Sequence, residues 1–282
     1  MTNFSAIIQG IIQGITEFLP VSSSGHLMLS QYFLGIHENN LIFDIALHVG
    51  TLISVIIVYY KTVFRLFFAF FSCIGNLFSK QKKSNDERLL INLFISLLPL
   101  FAMFIKIPGI GKIKDFASNL IDSSNLTIVG LAFIVTSVLL FFGDLISKNY
   151  SNFKKLDKIS FKDSILVGIS QFFAAIFPGL SRSGSTLSVG LMCGIERQSI
   201  IDFSFLMSIP TIIAAALLKF KEIRSYSISI DRNILILGIL SSAITGVLTI
   251  KLFKWLVQND KTKIFVIYTF ILGIFSIMIY LL

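Results

Sequence analysis

The sequence has little charge and almost no cysteine. Charged residues make up 14% of its 282 positions, whereas a soluble globular chain carries about 25%, because it needs them to cover its surface. The two cysteines, Cys73 and Cys193, lie in apolar runs far from any Cys or His partner, which argues against a disulfide framework or a thiolate metal site. Hydrophobic residues instead reach 55%, with 29 phenylalanines. This composition predicts an integral membrane protein.

Six segments are long and apolar enough to cross a bilayer core of about 30 Å. They are 41–60, 89–105, 126–146, 200–218, 234–257 and 264–282. Two further apolar segments, 4–36 and 161–195, are interrupted by Pro, Gly and Ser. Lipid cannot satisfy the backbone groups that such a break exposes, but protein or a water-filled cavity can. We therefore predict an all-α polytopic membrane protein, a single membrane domain with six transmembrane helices and two re-entrant helical hairpins.

The two interrupted segments resemble each other. In each, a Gln is followed by a Pro seven positions later and then by a serine-rich turn. These features are Gln13, Pro20 and 22–26 in the first segment, and Gln171, Pro178 and 181–185 in the second. Three spans follow each segment, so the first unit holds an odd number of crossings and the second is inverted. We expect an inverted-topology repeat of 1–146 and 161–282, with the two turns facing each other.

The 24 lysines and arginines are dispersed between the apolar runs, so the net charge of +9 does not indicate nucleic acid as a partner. Fifteen of them fall in loops on one side of the predicted membrane and seven on the other. The positive-inside rule places the more basic side in the cytoplasm. The first hairpin then opens outward, which predicts a site that faces the outer side of the membrane.

Polar residues recur every four positions in the first hairpin, at Gln9, Gln13 and Glu17, and therefore share one helical face. An ionisable residue in an apolar segment is costly and is a functional candidate. Glu17 and Gln13 offer oxygen ligands of the type that Mg²⁺ or Ca²⁺ prefers, and a carboxylate beside phosphate needs such a cation. The alternatives are a structural ion pair for Glu17 and hydrogen bonding between helices for the glutamines.

The two turns carry hydroxyls and backbone N–H groups where helices begin, an arrangement that binds anions. Arg182 adds a guanidinium group that grips phosphate with two parallel hydrogen bonds. The predicted phosphate-binding residues are Ser22, Ser24, Gly25, Ser181, Ser183, Gly184 and Thr186. His26 is a candidate nucleophile, base or leaving-group acid, and Ser23 is an alternative nucleophile. The competing interpretation is that the turns only cap broken helices. A cap does not require a buried arginine, so that interpretation does not explain Arg182.

His48 lies in the middle of the first predicted span, one helical turn after Asp44. Two interpretations remain open for it. It forms a structural hydrogen bond with Asp44, or it supports the neighbouring site.

Four motifs carry a resemblance to a known family. They read QGITEFLPVSSSGHL at 13–27, FDIALHVGTL at 43–52, PGLSRSGST at 178–186 and FSFLMSIP at 203–210. The chain resembles the bacterial undecaprenyl-diphosphatase family, also called the bacitracin resistance protein family. The resemblance implies a multi-pass enzyme of the bacterial inner membrane that hydrolyses undecaprenyl diphosphate to undecaprenyl phosphate and inorganic phosphate. That reaction recycles the lipid carrier of peptidoglycan synthesis and confers bacitracin resistance.

The resemblance also implies roles for individual residues. The metal-binding Glu/Gln-x-x-x-Glu motif of the family falls on Gln13 and Glu17, its serine and histidine on Ser23 and His26, and its phosphate-binding arginine on Arg182. The sequence does not choose between Ser23 and His26 as the nucleophile. It also leaves open whether Mg²⁺ or Ca²⁺ is native, and whether the protein forms a homodimer.

Two other functions compete with hydrolysis of this lipid. Inverted repeats with broken helices are also a transporter layout, so a polyprenyl-phosphate flippase or secondary transporter is the alternative. Acid phosphatase-like lipid phosphatases share a Ser-Gly-His turn and a Ser-Arg pair, but they require a catalytic histidine six residues after that pair. Position 188 is Ser here, and no histidine follows His48, which rejects that family.

Overall fold

A computed structural model of the chain describes residues 1–36, 41–75, 83–108, 111–122, 126–223, 231–259 and 261–281. Helices dominate these residues. They are α1 Asn3–Thr16, α2 Ser23–Phe33, α3 Leu41–Val58, α4 Tyr60–Gly75, α5 Asn85–Leu97, α6 Ile113–Asp122, α7 Leu126–Ser147, α8 Phe161–Ile176, α9 Arg182–Met192, α10 Arg197–Ile223, α11 Arg232–Gln258 and α12 Lys263–Leu281. Two 3₁₀ helices, Leu98–Phe104 and Leu156–Lys158, and a short antiparallel pair, β1 Lys106–Ile107 and β2 Gly111–Lys112, complete the description.

The six predicted membrane spans are confirmed as six apolar helical stretches within the described residues. These stretches are Leu41–Val58, Asn85–Phe104, Leu126–Ser147, Arg197–Leu218, Arg232–Gln258 and Lys263–Tyr280. The second begins earlier than predicted because Ser84 and Glu87 form a capping box that starts the helix among polar residues. The last predicted residue of the sixth span, Leu282, lies outside the described residues. The all-α class of the prediction is confirmed as well.

Both interrupted segments are pairs of helices separated by a break of a few residues. Residues 17–22 separate α1 from α2, and residues 177–181 separate α8 from α9. A serine precedes each second helix as its N-cap and accepts a backbone N–H with its hydroxyl, Ser22 before α2 and Ser181 before α9. The re-entrant path of these pairs and the inverted repeat stay predictions.

Glycines allow the helices around the breaks to pack closely. A Cβ atom added at Gly10 would lie 2.9 Å from the carbonyl oxygen of Gly238 on α11, and one added at Gly14 would lie 2.6 Å from that of Ser242. Helices with small residues at their interface approach each other in this way. The contact between α1 and α11 therefore fixes the first break against the middle of the helix bundle.

Large buried aromatic side chains surround the breaks. The ring of Phe18, in the first break, meets that of Phe205 on α10 edge to face at 5.3 Å between centroids, and Phe205 in turn packs near Phe253 on α11. Apolar side chains on the outside of the bundle, such as Leu131 and Phe142 on α7, are about half exposed. A lipid bilayer suits such an outer surface.

Candidate active site

Glu17 joins the two breaks. It caps the end of α1, and its carboxylate is buried. Its Oε1 accepts a hydrogen bond of 2.7 Å from the guanidinium Nη2 of Arg182, which is 165 residues away in the chain. Its Oε2 accepts hydrogen bonds from the hydroxyl of Ser23 at 2.7 Å and from the amide Nε2 of Gln13 at 3.0 Å. The structure thus brings together four of the predicted site residues.

Arg182 is the first residue of α9 and is held from two sides. Besides the ion pair with Glu17, its Nη1 donates to the carbonyl oxygen of Ser204 on α10 at 3.4 Å. The hydroxyls of Ser204 and Thr186 lie 2.8 Å apart behind it, and that of Thr186 donates to the Arg182 carbonyl at 3.0 Å. A buried charge pair of this kind is strongly destabilising to break on one side only, so the guanidinium has a fixed place.

The first turn is strained and tightly packed. Ser22 has φ 71° and ψ 100°, and its hydroxyl accepts the N–H of Gly25 at 3.3 Å. Residues other than glycine adopt positive φ at a cost of about 1–3 kcal/mol, usually at functional sites. Gly25 is required by close packing, since an added Cβ would lie 2.6 Å from the Phe133 ring. The Ser24 hydroxyl lies 3.3 Å from that of Ser22.

The second turn is connected to the first through Ser183. Its hydroxyl donates to the carbonyl oxygen of Leu19, in the first break, at 2.8 Å. The Ser181 hydroxyl accepts the N–H of Gly184 at 3.0 Å, and the Ser181 N–H donates to the hydroxyl of Thr136 on α7 at 3.1 Å. The start of α9 is therefore anchored to both the first break and α7.

A cavity of about 910 Å³ lies over these groups. Its polar end contains Glu17, Arg182, His48, Asp44, Ser22, Ser23, Ser24, Ser181 and Ser183. Its walls are mostly apolar and include Leu27, Met28, Ile45, Leu126, Phe177 and Ile212. Gly25, Gly184 and Thr186 do not line it. A polar end with a cation and many hydroxyls beside apolar walls suits a lipid with an anionic head group.

His48 lies at this site. Its Nδ1 accepts a hydrogen bond from the amide Nε2 of Gln13 at 3.0 Å, and it is 3.7 Å from the Glu17 carboxylate. The structure therefore places His48 beside the site, as the second of its two interpretations requires. The sequence singled out His48 as a polar residue in the middle of a span, but it did not identify Gln13 as a partner of His48.

His26 lies apart from the other predicted catalytic residues. Its Nδ1 is 2.7 Å from the carbonyl oxygen of Ser22, and its Nε2 is 2.7 Å from the hydroxyl of Tyr268 on α12. Its ring meets that of Phe133 edge to face, and it is not among the residues that line the cavity. Sequence reasoning did not identify Tyr268, because one tyrosine in an apolar span carries no distinguishing signal.

The donor set at Glu17 fits a hard cation. In the described part of the chain, no group of three or more His, Cys, Asp or Glu residues is placed to hold a metal ion. Gln13 nevertheless has a buried Oε1 without a hydrogen-bond partner, on the side chain whose Nε2 donates to the Glu17 carboxylate. One carboxylate with neutral oxygens is what Mg²⁺ uses when substrate phosphates supply the remaining ligands.

Comparisons with known proteins agree with one another. The family model described as "Bacitracin resistance protein BacA" matches residues 6–275. Proteins named undecaprenyl-diphosphatase from Moorella thermoacetica, Methanosphaera stadtmanae and Bacteroides fragilis are each 36% identical to this chain. The alignments cover 97–98% of this chain and 96–97% of the relatives. The chain therefore belongs to the BacA family of bacitracin resistance proteins.

Proposed function

We propose that this protein hydrolyses undecaprenyl diphosphate to undecaprenyl phosphate and inorganic phosphate. In the bacterial inner membrane this reaction recycles the lipid carrier of peptidoglycan synthesis and confers bacitracin resistance. The names of its relatives support the substrate. The observation that carries the proposal is the Glu17 carboxylate, which holds the Ser23 hydroxyl and the Arg182 guanidinium at the polar end of a cavity with apolar walls.

The diphosphate binds at the polar end of the cavity and the polyprenyl chain lies along its walls. Two helices, α2 and α9, begin there, and their first backbone N–H groups and positive dipole ends favour an anion. The hydroxyls of Ser22, Ser24 and Ser181 supply further donors, whereas that of Ser183 donates to the Leu19 carbonyl. Arg182 compensates the negative charge of Glu17 and offers N–H donors to the phosphate oxygens.

Ser23 is the attacking group in this mechanism. Its hydroxyl lines the cavity and donates to Glu17 Oε2 at 2.7 Å, which is within the distance required of a general base. The Ser23 Oγ forms a bond with the terminal phosphorus, and its proton passes to Glu17. The bond between that phosphorus and the bridging oxygen breaks, and undecaprenyl phosphate leaves with the electron pair. Arg182 stabilises the charge that builds on the transferred phosphoryl group.

A water molecule completes the reaction. It attacks the phosphorus of the phosphoserine and loses a proton to solvent, while the bond from phosphorus to the Ser23 oxygen breaks. That oxygen takes back the proton held by Glu17, and inorganic phosphate leaves. Both half-reactions use the same pair of side chains, which the structure holds in hydrogen-bond contact.

Glu17 and Gln13 would hold a divalent cation, Mg²⁺ or Ca²⁺. When bound, the cation would supply positive charge that neutralises the diphosphate oxygens and polarises the phosphorus. The unpartnered Oε1 of Gln13 supports this assignment. Because only one of the two side chains is charged, we expect modest affinity in the absence of substrate phosphates.

We further propose that the site faces the outer side of the membrane. The cavity is lined by Leu41 and Leu126, which begin α3 and α7, and by Ile279, near the end of α12. These helix ends lie on the side opposite the loops that carry fifteen of the lysines and arginines. A lipid diphosphate would enter from the leaflet on that side.

The helix packing supports the inverted repeat. If α1, α2, α3, α5 and α7 correspond to α8, α9, α10, α11 and α12, each contact in one half should have a counterpart. Helix α1 packs against α11, and α8 packs against α5; likewise α9 packs against α7, and α2 meets α12 through His26 and Tyr268. Two re-entrant pairs related in this way would meet at the membrane midplane.

Phosphate release from undecaprenyl diphosphate by the purified protein in detergent tests the proposal. No gradient exists in detergent, so transport cannot account for release. We expect chelator to lower the rate and added Mg²⁺ to restore it. Ser23→Ala and Glu17→Gln should each lower kcat by about a hundredfold or more, typical of losing an essential group. Ser276→Ala is the matched control, because among the described residues that hydroxyl bonds within its own helix alone, to the Leu272 carbonyl at 2.7 Å.

A different pattern would contradict the enzyme. If the wild-type protein binds the lipid but releases no phosphate, the cavity is a transport or binding site. If Ser23→Ala releases phosphate as fast as Ser276→Ala does, hydrolysis proceeds without the serine. Thermal unfolding of each variant in the same detergent separates loss of chemistry from loss of fold.

A further inference from the structure

His26 connects the first turn to the last helix, and both of its ring nitrogens are engaged. A carbonyl oxygen only accepts hydrogen bonds, so the Nδ1 that lies 2.7 Å from the Ser22 carbonyl must carry the hydrogen. In the neutral ring Nε2 is then the acceptor, and the Tyr268 hydroxyl donates to it at 2.7 Å. The lone pair that a nucleophilic or basic histidine would use is already taken by Tyr268.

The ring of His26 points away from the cavity. The residues of α2 that line the cavity include Ser23, Ser24, Leu27 and Gln31, and at 3.6 residues per turn they share one side of the helix. His26 is outside this set of lining residues and lies between the ring of Phe133 and that of Tyr268, at centroid distances of 5.3 and 5.7 Å. Substrate in the cavity would meet Ser23 and not the imidazole.

The Ser22 carbonyl that His26 holds belongs to the strained residue of the site. Among the described residues, Ser22 is the only one other than glycine with positive φ. Such a conformation persists only where neighbours hold it. The Ser22 carbonyl accepts both the backbone N–H of His26 at 3.2 Å and the ring N–H at 2.7 Å. The next residue is Ser23, whose hydroxyl reaches Glu17.

We infer that Tyr268 and His26 are positioning residues for phosphoryl transfer. Tyr268 fixes the ring and tautomer of His26, and the ring N–H holds the Ser22 carbonyl. The strained Ser22 in turn aims the Ser23 hydroxyl at Glu17 and at the phosphorus. This inference rests on the proposed function with Ser23 as the attacking group. It assigns a role to Tyr268, which is 242 residues from His26 in the chain, and gives His26 a role other than attack on phosphorus.

The His26→Asn variant distinguishes a positioning role of His26 from a chemical one. The side-chain amide of Asn carries an N–H near the place of the imidazole Nδ1, so it can donate to the Ser22 carbonyl. An amide is neither a nucleophile nor a base at neutral pH. A positioning histidine is therefore replaceable by Asn, whereas a histidine that attacks phosphorus or accepts a proton is not.

The experiment measures kcat and KM for phosphate release by five proteins and one double variant. They are the wild type, Tyr268→Phe, His26→Asn, His26→Ala, the control Tyr60→Phe and Tyr268→Phe combined with His26→Asn. Tyr60 is an exposed tyrosine of α4 and loses the same hydroxyl without a site contact. We expect kcat of Tyr268→Phe to fall about three- to tenfold with little change in KM, because one hydrogen bond that acts on the transition state is removed.

The histidine variants carry the sharper expectation. His26→Ala should lose about a hundredfold or more in kcat, while His26→Asn should stay within about tenfold of the wild type. In the His26→Asn background, Tyr268→Phe should have no further effect, because the acceptor Nε2 is gone and the two changes act through one chain of contacts. Tyr60→Phe should match the wild type.

Three outcomes would overturn the inference. Equal loss of activity in His26→Asn and His26→Ala, with wild-type melting temperatures, would mean that the imidazole itself does chemistry. An unchanged kcat in Tyr268→Phe, which is nearly isosteric and should fold, would remove Tyr268 from the account. Absence of phosphate release by the wild type would overturn the proposed function and this inference with it, and only that outcome affects both.

Discussion

The second helix after each polar break is capped in the same way, but the residue that adopts positive φ in the turn differs between the two breaks. In both, a serine hydroxyl accepts the N–H of a glycine three residues later, Ser22 with Gly25 and Ser181 with Gly184. The left-handed backbone conformation falls on Ser22 in the first break, at φ 71°, and on Gly179 in the second, at φ 86°. Glycine adopts this conformation without a steric penalty, but serine does not.

In the proposed mechanism, the strained break is the one that supplies the attacking group. The second break supplies a cation and anchored hydroxyls on a relaxed turn, which under the proposed function bind phosphate. The first break supplies the carboxylate of Glu17 and the hydroxyl of Ser23 on a strained turn, which places a reactive group where relaxed backbone would not. Strain of this kind is concentrated at functional sites, so we expect the two breaks to respond differently to equivalent substitutions.

The largest expected effect is on binding and catalysis together, at Arg182. Arg182→Gln removes the cation from the second break and leaves Glu17 as an uncompensated buried charge. We expect kcat/KM to fall by about a hundredfold or more, as when a principal charge-stabilising donor is removed. Arg232→Gln is the control, because Arg232 is also the first residue of a helix but is exposed. Equal activity of both variants would show that the cation of the second break is not needed.

The next effect is on stability, through the glycines of the two turns. An added Cβ at Gly25 would lie 2.6 Å from the Phe133 ring, whereas at Gly184 the nearest atoms are 3.1 Å away. Overpacking of this degree costs about 1–3 kcal/mol. We expect Gly25→Ala to lower the melting temperature in detergent clearly, and Gly184→Ala to change it little. Equal shifts would mean that the first turn is no more tightly packed than the second.

A smaller effect, on the free energy of unfolding and on kcat, tests the backbone strain at Ser22 directly. Ser22→Gly relieves the positive φ and, as an N-cap change from Ser to Gly, costs only a few tenths of a kcal/mol. We expect the free energy of unfolding to rise by about 1 kcal/mol, while kcat falls because the turn is looser. Ser181→Gly, at φ −70°, relieves nothing and should be neutral or slightly destabilising. Shifts of the same sign and size in both would contradict a strained first turn.

The smallest expected effect is on the pH dependence of stability, through the N-terminal caps of α1 and α8. Both helices begin with a capping box, Thr2 with Ser5 and Ser160 with Asp163, but only the second contains an ionisable group. Burial raises the pKa of Asp163, yet hydrogen bonds from Lys154 and Ser160 outweigh burial and hold this pKa below its ordinary value of 3.8. Such a carboxylate stabilises the fold above its unfolded-state pKa, and that stabilisation is lost as the pH falls through the lower folded-state pKa.

Melting temperatures of the wild type and Asp163→Asn between pH 7 and pH 3 check this expectation. The wild type should be more stable at neutral pH by an amount on the order of 1 kcal/mol, since Lys154 is partly exposed. The difference should shrink at acidic pH, below about 4. A Ser5→Ala variant of the first capping box should show a difference that does not depend on pH. A constant difference for Asp163→Asn would contradict the charge-assisted cap.

The sequence predicts the spans well because length and hydropathy alone determine them. Phosphate binding by the two serine-rich turns stays a prediction. The contact between Glu17 and Arg182, far apart in the chain, matches the expectation that the two turns face each other. Helix ends were less predictable, because a capping box such as that of Ser84 and Glu87 extends a helix into polar sequence.

The contacts of His26 and His48 could not be predicted from the sequence. Whether His26 points into the cavity or away from it depends on where its helix is packed, and its partner Tyr268 is fixed by the tertiary fold alone. One partner of His48 is Gln13 on another helix, which spacing along α3 cannot reveal. Residue types indicate which groups are candidates for chemistry, and only the packing of the helices shows which of them meet.

The most direct test of the central claim is to find the phosphoryl group on the enzyme during turnover. The protein is mixed with undecaprenyl diphosphate labelled in its terminal phosphate, quenched within one turnover, and mapped by peptide. The account predicts an acid-stable, alkali-labile label on Ser23. An acid-labile, alkali-stable label on His26, or no label at any quench time while phosphate is released, would contradict it.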